Sequence, residues 1–194
     1  MSNAKRILLV QTQAENAGAQ EITRLLGSGL AARGYDVHNL FFFRKSETFT
    51  EPPNTAYCVE GRPSSLPALL RFFKSLAGHI RHVQPDVILT FQHYGNILAG
   101  PVAKAVSPAP IVANQVSALP TMNRLVRLAD LWLGMLGFFK AITVNSQDVK
   151  RVYSAYPKPY SSRIVYVAHG FEARTSQLSQ AQARQAFGLP DKVT

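Results

Sequence analysis

Apolar runs of strand length alternate with helix-spaced segments along most of this 194-residue chain, and that alternation narrows the fold more than any other feature. The expected strands are residues 6–12, 36–43, 86–91, 109–114, 141–145 and 164–167. Between them Ile22, Leu25, Leu26 and Leu30 recur at helical spacing, with Gly34 as the stop. Leu66, Leu69, Leu70, Phe73, Leu76, Ile80 and Val83 mark a second helix ended by Pro85. Residues 96–106, 122–139 and 146–153 read as further helices, and the polar, proline-bearing stretch 44–63 reads as a long loop. Strands that are apolar throughout must be covered on both faces, which predicts a parallel sheet. Right-handed crossovers then give a Rossmann-like, doubly wound α/β/α layer structure. Ligands in such sheets bind at the carboxyl ends of the strands. Residues 13–20, 92–96, 115–121, 145–146 and 168–170 are therefore the expected cleft segments.

The first of these corners carries the clearest chemistry. A strand empties into Gln13-Ala-Glu-Asn-Ala-Gly-Ala-Gln20, and a helix starts near Gln20. The unpaired N–H groups and positive end of that helix suit a phosphate or another anion, and Gly18 leaves room for close approach. Gln20 either bonds a ligand or caps the helix.

Composition removes several classes. The longest apolar stretch, residues 125–139, is interrupted by Arg127 and Asp130 and is too short to cross a bilayer. No signal-peptide core is present, because residues 7–10 are too few. The single Cys58 forms no internal disulfide and fits a reducing, cytoplasmic setting. The formal charge of +10 draws nucleic acid, anionic lipid or phosphorylated substrates. No nucleic-acid-binding pattern accompanies it, so no specific nucleic acid is expected. The first loop lacks the G-x-G-x-x-G spacing for a dinucleotide, and His79 and His82 share a helix without a third metal ligand.

Taken in order, Lys5-Arg-Ile-Leu-Leu-Val10, Gly18-Ala-Gln20, Leu30-Ala-Ala-Arg-Gly-Tyr-Asp-Val37 and Gln84-Pro-Asp-Val-Ile-Leu89 resemble the N-terminal half of the family 4 glycosyltransferases. Ala141-Ile-Thr-Val-Asn-Ser146, Ile164-Val-Tyr-Val-Ala-His-Gly-Phe-Glu172 and the Arg184 to Pro190 ending continue the likeness. The resemblance implies one half of a GT-B architecture. Residues 5–172 would be an acceptor-binding domain, and residues 173–194 a linker to a donor-binding domain. It implies transfer of a sugar from a nucleotide-sugar to an acceptor hydroxyl with retained configuration. No divalent metal or other cofactor is expected, and this half is expected to be inactive alone. A non-catalytic anion- or nucleic-acid-binding α/β module is the competing expectation.

The same resemblance suggests site residues. Gly18, Ala19 and Gln20 would form the loop facing the donor diphosphate. His93 and Tyr94, after the third strand, would meet acceptor or sugar hydroxyls. Asn114 or Gln115 stands where the family commonly has a histidine; an amide holds a hydroxyl but does not titrate. Ser146, His169 and Gly170 would border the interdomain cleft, although Ser146 also reads as a helix N-cap and His169 as hinge packing. The 64–83 and 122–139 helices carry basic residues beside apolar ones, the pattern of a helix lying on an anionic membrane and presenting a lipid-linked acceptor or glycan.

Overall fold

The computed structural model describes residues 4–116, 122–170 and 177–190. Among these, seven parallel strands form one sheet in the order β3-β2-β1-β4-β5-β6-β7. The strands are β1 (Arg6–Ala14), β2 (Asp36–Arg44), β3 (Thr55–Tyr57), β4 (Val87–Phe91), β5 (Ile111–Gln115), β6 (Ala141–Val144) and β7 (Ile164–Tyr166). The helices are α1 (Gly18–Ala31), α2 (Leu66–Val83), α3 (Gln92–Val106), α4 (Arg124–Met135), α5 (Gln147–Ser154), α6 (Lys158–Ser161) and α7 (Gln180–Ala186). The expected Rossmann-like, three-layer α/β fold is the observed one.

Strand β1 is an interior strand, paired on one side with β2 and on the other with β4, and is buried on both faces. Leu9 pairs in register with Asn39 of β2 and Leu89 of β4, and Leu8, Leu9 and Val10 are at most 1% exposed. Strand alternation sends Leu8 and Val10 to one side, where they join Ile88, Ile111, Ala113, Ile142 and Val144 beneath the α2–α5 layer. Ile7 and Leu9 face the other side, with Val37 and Phe91, against Leu26 and Leu30 of α1. Each of these fully buried aliphatic side chains contributes about 1.5–3 kcal/mol of transfer free energy.

Four expectations are corrected. The 44–63 stretch is not all loop, because Thr55–Tyr57 forms the edge strand β3, so the sheet has seven strands where six were expected. The first strand runs on to Ala14 and the helix begins at Gly18, which shortens the intervening loop to residues 15–17. α3 begins at Gln92, directly after β4, so His93 and Tyr94 lie in its first turn. α4 stops at Met135, and Gly137 at φ +78° turns the chain so that Phe139 is buried ahead of β6. Of the expected cleft segments, residues 117–121 lie outside the described residues, as do 171–176 and 191–194 at the domain end and linker.

Candidate functional site

The connections leave β1 in opposite directions. α1 carries the chain over one face to β2, while β4, α3 and β5 continue over the other. The crevice at the carboxyl ends of β1 and β4 is thus the topological switch point, the position where open α/β sheets bind ligands. Two of the expected segments meet there. Thr12 of β1 donates a hydrogen bond of 2.7 Å to Oε1 of Gln92, which ties the β1 tip to the entry of α3. Gly95 lies over the carbonyl of Val10, 3.6 Å from where its Cβ would stand. Gln92 adopts φ +62°, a left-handed conformation that a non-glycine residue holds at a cost of about 1–3 kcal/mol.

On the α1 side a cavity of about 870 Å³ is lined by Glu15, Asn16, Gly18, Gln20, Phe49 and Thr50 among others. Ala17 occupies the N-cap position of α1 and supplies no side-chain cap. A Cβ built on Gly18 meets no atom within 4 Å, so the glycine is not required by packing against the protein. Gln20 is buried; its Nε2 donates to the carbonyl of Gln13 at 2.8 Å, while its Oε1 has no partner. It therefore braces the loop from inside. Both carboxylates at the cavity are paired. Lys45 holds Glu15 at 2.7 Å and lowers its pKa, chiefly through that hydrogen bond. Arg24 grips Glu21 through two bonds of 2.7 and 2.8 Å.

At the other wall His93 is half-buried and its ring lies 4.7 Å from that of Tyr94, which is exposed. Burial lowers the His93 pKa, so the imidazole is neutral near pH 7 and offers a lone pair. Its Nδ1 is buried without a partner, and Nδ2 of Asn96 is likewise unsatisfied although its Oδ1 accepts from Thr90 at 2.7 Å. Unpaired buried polar atoms are uncommon in a native fold. Here Gln20, His93 and Asn96 carry them around the switch point.

A second, smaller groove of about 310 Å³ brings Asn114, His169 and Gly170 together with Ile22, Leu25 and Val167. It lies on the α1 side of the sheet, and Oδ1 of Asn114 is buried there without a partner. Burial also lowers the pKa of His169. Gln115 goes the other way. One residue along a strand reverses the side chain, and its Nε2 donates to Asp130 at 2.6 Å inside the opposite layer. Gln115 is 1% exposed and is corrected from a sugar contact to a core residue. Ser146 is the N-cap of α5, its hydroxyl accepting from the Val149 N–H at 3.1 Å, so it anchors a helix.

Four residues at the site were not singled out from the sequence: Gln92 and Asn96, although the expected cleft segment 92–96 contains both, and Phe49 with Thr50 from the 44–54 loop. The loop's length and the aromatic within its polar run are the signals that point to the last pair.

Together the parallel sheet, its open switch point and the polar-lined corner define a Rossmann-like α/β domain with a ligand cleft at the carboxyl ends of its strands. The sequence profile of Glycosyltransferase Family 4 matches residues 17–175, and the chain belongs to that family. None of the curated proteins matches the chain. Among solved structures it is similar to Anabaena HepE in complex with UDP and glucose, at TM-score 0.70 and 13% identity over 95% of this chain and 50% of that one. The lipopolysaccharide outer core galactosyltransferase WaaB superposes at TM-score 0.68 and 10% identity, over 88% of this chain and 47% of the other. Sucrose-phosphate synthase from Thermosynechococcus elongatus does so at 0.63 and 16%, over 96% and 53%. The chain spans about half the length of these proteins.

Proposed function

We propose that this chain is the acceptor-side domain of a retaining glycosyltransferase that moves a hexose from a nucleotide-sugar to an acceptor hydroxyl. The observation that carries the reading is the family match over residues 17–175, which includes the α1 corner, the α3 entry and the end of β7. The corner's chemistry supports it: paired carboxylates and amides accept hydroxyl donors, and Phe49 and Leu25 offer apolar surface to a sugar ring. In this reading the N–H groups at the start of α1, beside Gly18 and Ala19, face the donor diphosphate and oppose its charge in place of a metal. His93 and Tyr94 hold acceptor hydroxyls, and neutral His93 assists their deprotonation. Asn114, His169 and Gly170 form the margin that meets a donor-binding domain. HepE was solved with UDP and glucose, which supports a nucleotide-sugar donor, and WaaB is a lipopolysaccharide outer core galactosyltransferase, which supports a cell-surface glycan or glycolipid acceptor.

The test uses the chain joined to a donor-binding domain of the same family. A panel of nucleotide-sugars is screened for turnover, and the anomeric configuration of the product is read by NMR. Transfer with retention is expected, with no turnover by the 194-residue chain alone and no loss on chelation of divalent cations. Absence of both binding and turnover across the panel would overturn the reading.

A further inference from the structure

We propose that Phe49 is a specificity-determining residue of the α1 corner: a fixed aromatic platform for a neutral pyranose ring, which makes the acceptor the sugar end of a glycan. The proposal rests on the transfer reading and narrows its acceptor.

The loop between β2 and β3 carries Phe49 to the cavity and is tied down at several points. Lys45 and Ser46 both donate a backbone N–H to the carbonyl of Ala14, at 3.0 and 3.1 Å. Nδ2 of Asn16 donates to the carbonyl of Thr48 at 3.1 Å, and Lys45 pairs with Glu15 at 2.7 Å. The Phe49 N–H closes a turn on the carbonyl of Ser46 at 3.4 Å. At the far end of the loop, Nδ2 of Asn39 donates to the carbonyl of Pro53 at 2.9 Å. The Phe49 ring meets that of Phe41, itself 2% exposed, at 5.2 Å and an interplanar angle of 72°. Rings crossed so steeply do not stack, so Phe41 covers no more than one face of Phe49. Phe49 is half-buried and lines the cavity of about 870 Å³. A ligand there meets a flat apolar surface that is ordered before it arrives, which spares the cost of ordering it.

The lining matches the two aspects of a sugar ring, a C–H face and an edge of hydroxyls. Phe49 and Leu25 supply apolar contact, while Glu15, Asn16 and Thr50 line the same cavity as hydroxyl partners. The hydrogen bond from Lys45 holds the Glu15 carboxyl below its ordinary pKa, so its oxygens accept. Asn16 spends its Nδ2 on Thr48, which leaves Oδ1 as an acceptor. An acyl or polyprenyl chain would strip water from these groups and return no hydrogen bond.

Charge selects a neutral ring. Residues 1–60, which build this corner, hold six acidic and six basic side chains, so the whole formal +10 belongs to the remainder. Glu15, Glu21 and Glu51 each have a cation beside them, Lys45, Arg24 and Arg44. No surplus of positive side chains draws an anionic acceptor to this wall.

Binding is read by saturation-transfer NMR on the full chain with the methyl pyranosides of glucose, galactose and mannose, against sorbitol, which carries hydroxyls without a ring face. The expected result is transfer to the ring C–H protons of at least one pyranoside, none to sorbitol, and loss of the signal in Phe49→Ala. In the chain joined to a donor-binding domain of the same family, Phe49→Ala should raise the acceptor KM about tenfold, the upper end of what an aromatic contact contributes. kcat and the donor Kd should not move. Phe49→Trp should restore the parent KM, whereas Phe49→Leu, apolar but without a π face, should not. If circular dichroism shows Phe49→Ala unfolded, the Trp and Leu variants decide. Equal transfer to sorbitol, no pyranoside signal, an unchanged acceptor KM or an effect confined to the donor overturns the proposal. If the parent turns over no nucleotide-sugar, the transfer reading falls, and the NMR arm alone decides whether Phe49 holds a pyranose.

Discussion

Asp130 buries a carboxyl whose oxygens are each engaged: Tyr160 donates to one and Gln115 to the other. Burial nevertheless dominates and raises its pKa from 3.8 to about 6. The folded state therefore holds this proton more tightly than the unfolded chain. The stability it contributes is complete below pH 3.8 and is lost as pH rises from there through about 6, a change of roughly 3 kcal/mol. Urea unfolding of Asp130→Asn across that window should show this slope removed. Cys58 is buried too, and its thiol is pushed up to about 12 by desolvation. It should resist a thiol-specific reagent in the folded chain and react at once in denaturant. At Gly18 the expected result is a separation of effects. Gly18→Val should leave the unfolding free energy within about 0.5 kcal/mol of the parent. In the enzyme with its donor-binding domain, the same change should weaken nucleotide-sugar affinity about tenfold, some 1.4 kcal/mol, by titration calorimetry.

Helices and strands differ in how plainly the sequence announces them. Ser146 illustrates an element end that was readable as a cap, and Ser146→Ala should cost about 1 kcal/mol of stability. The same substitution should leave sugar transfer unaltered, which separates capping from ligand contact. β1 and β4 were legible because each carries consecutive apolar residues of strand length. β3 was not, since Thr55-Ala-Tyr57 is three half-buried residues at an edge, paired only with β2. α6 hid for the same reason of size: it has four residues, and what secures it is the burial of Tyr160 against α4. A Cβ at Gly134 would overlap the Tyr160 ring, a demand that only the folded packing reveals. At the candidate cleft, Gly18 and His93 were singled out from their places after strands, and Asn114, expected just after its strand, lies within β5 and lines the smaller groove. Gln115 was misplaced because a strand reverses its facing at every residue. The left-handed backbone of Gln92 comes from how α3 starts directly against β4, which no residue pattern states.

At the scale of the molecule, burial is held through the interior strands and lost at one edge. Leu8 to Val10 of β1 and Ile142 and Val144 of β6 are at most 1% exposed, whereas Val165 on β7 is 47% exposed and α7 buries no residue. Hydrogen exchange should therefore be slow across the sheet from β1 to β6 and fastest in β7 and α7.

The uneven placement of charge has an effect that begins before any contact is made. With the first sixty residues neutral and the rest strongly cationic, an outside field exerts a torque on the molecule as well as a pull. Near a negative boundary it turns like a compass needle, so that collisions begin already aligned. Adding salt shortens the reach of that guidance to about 10 Å at 0.1 M. Arrival would then become slower and less ordered, even where the final resting place is the same.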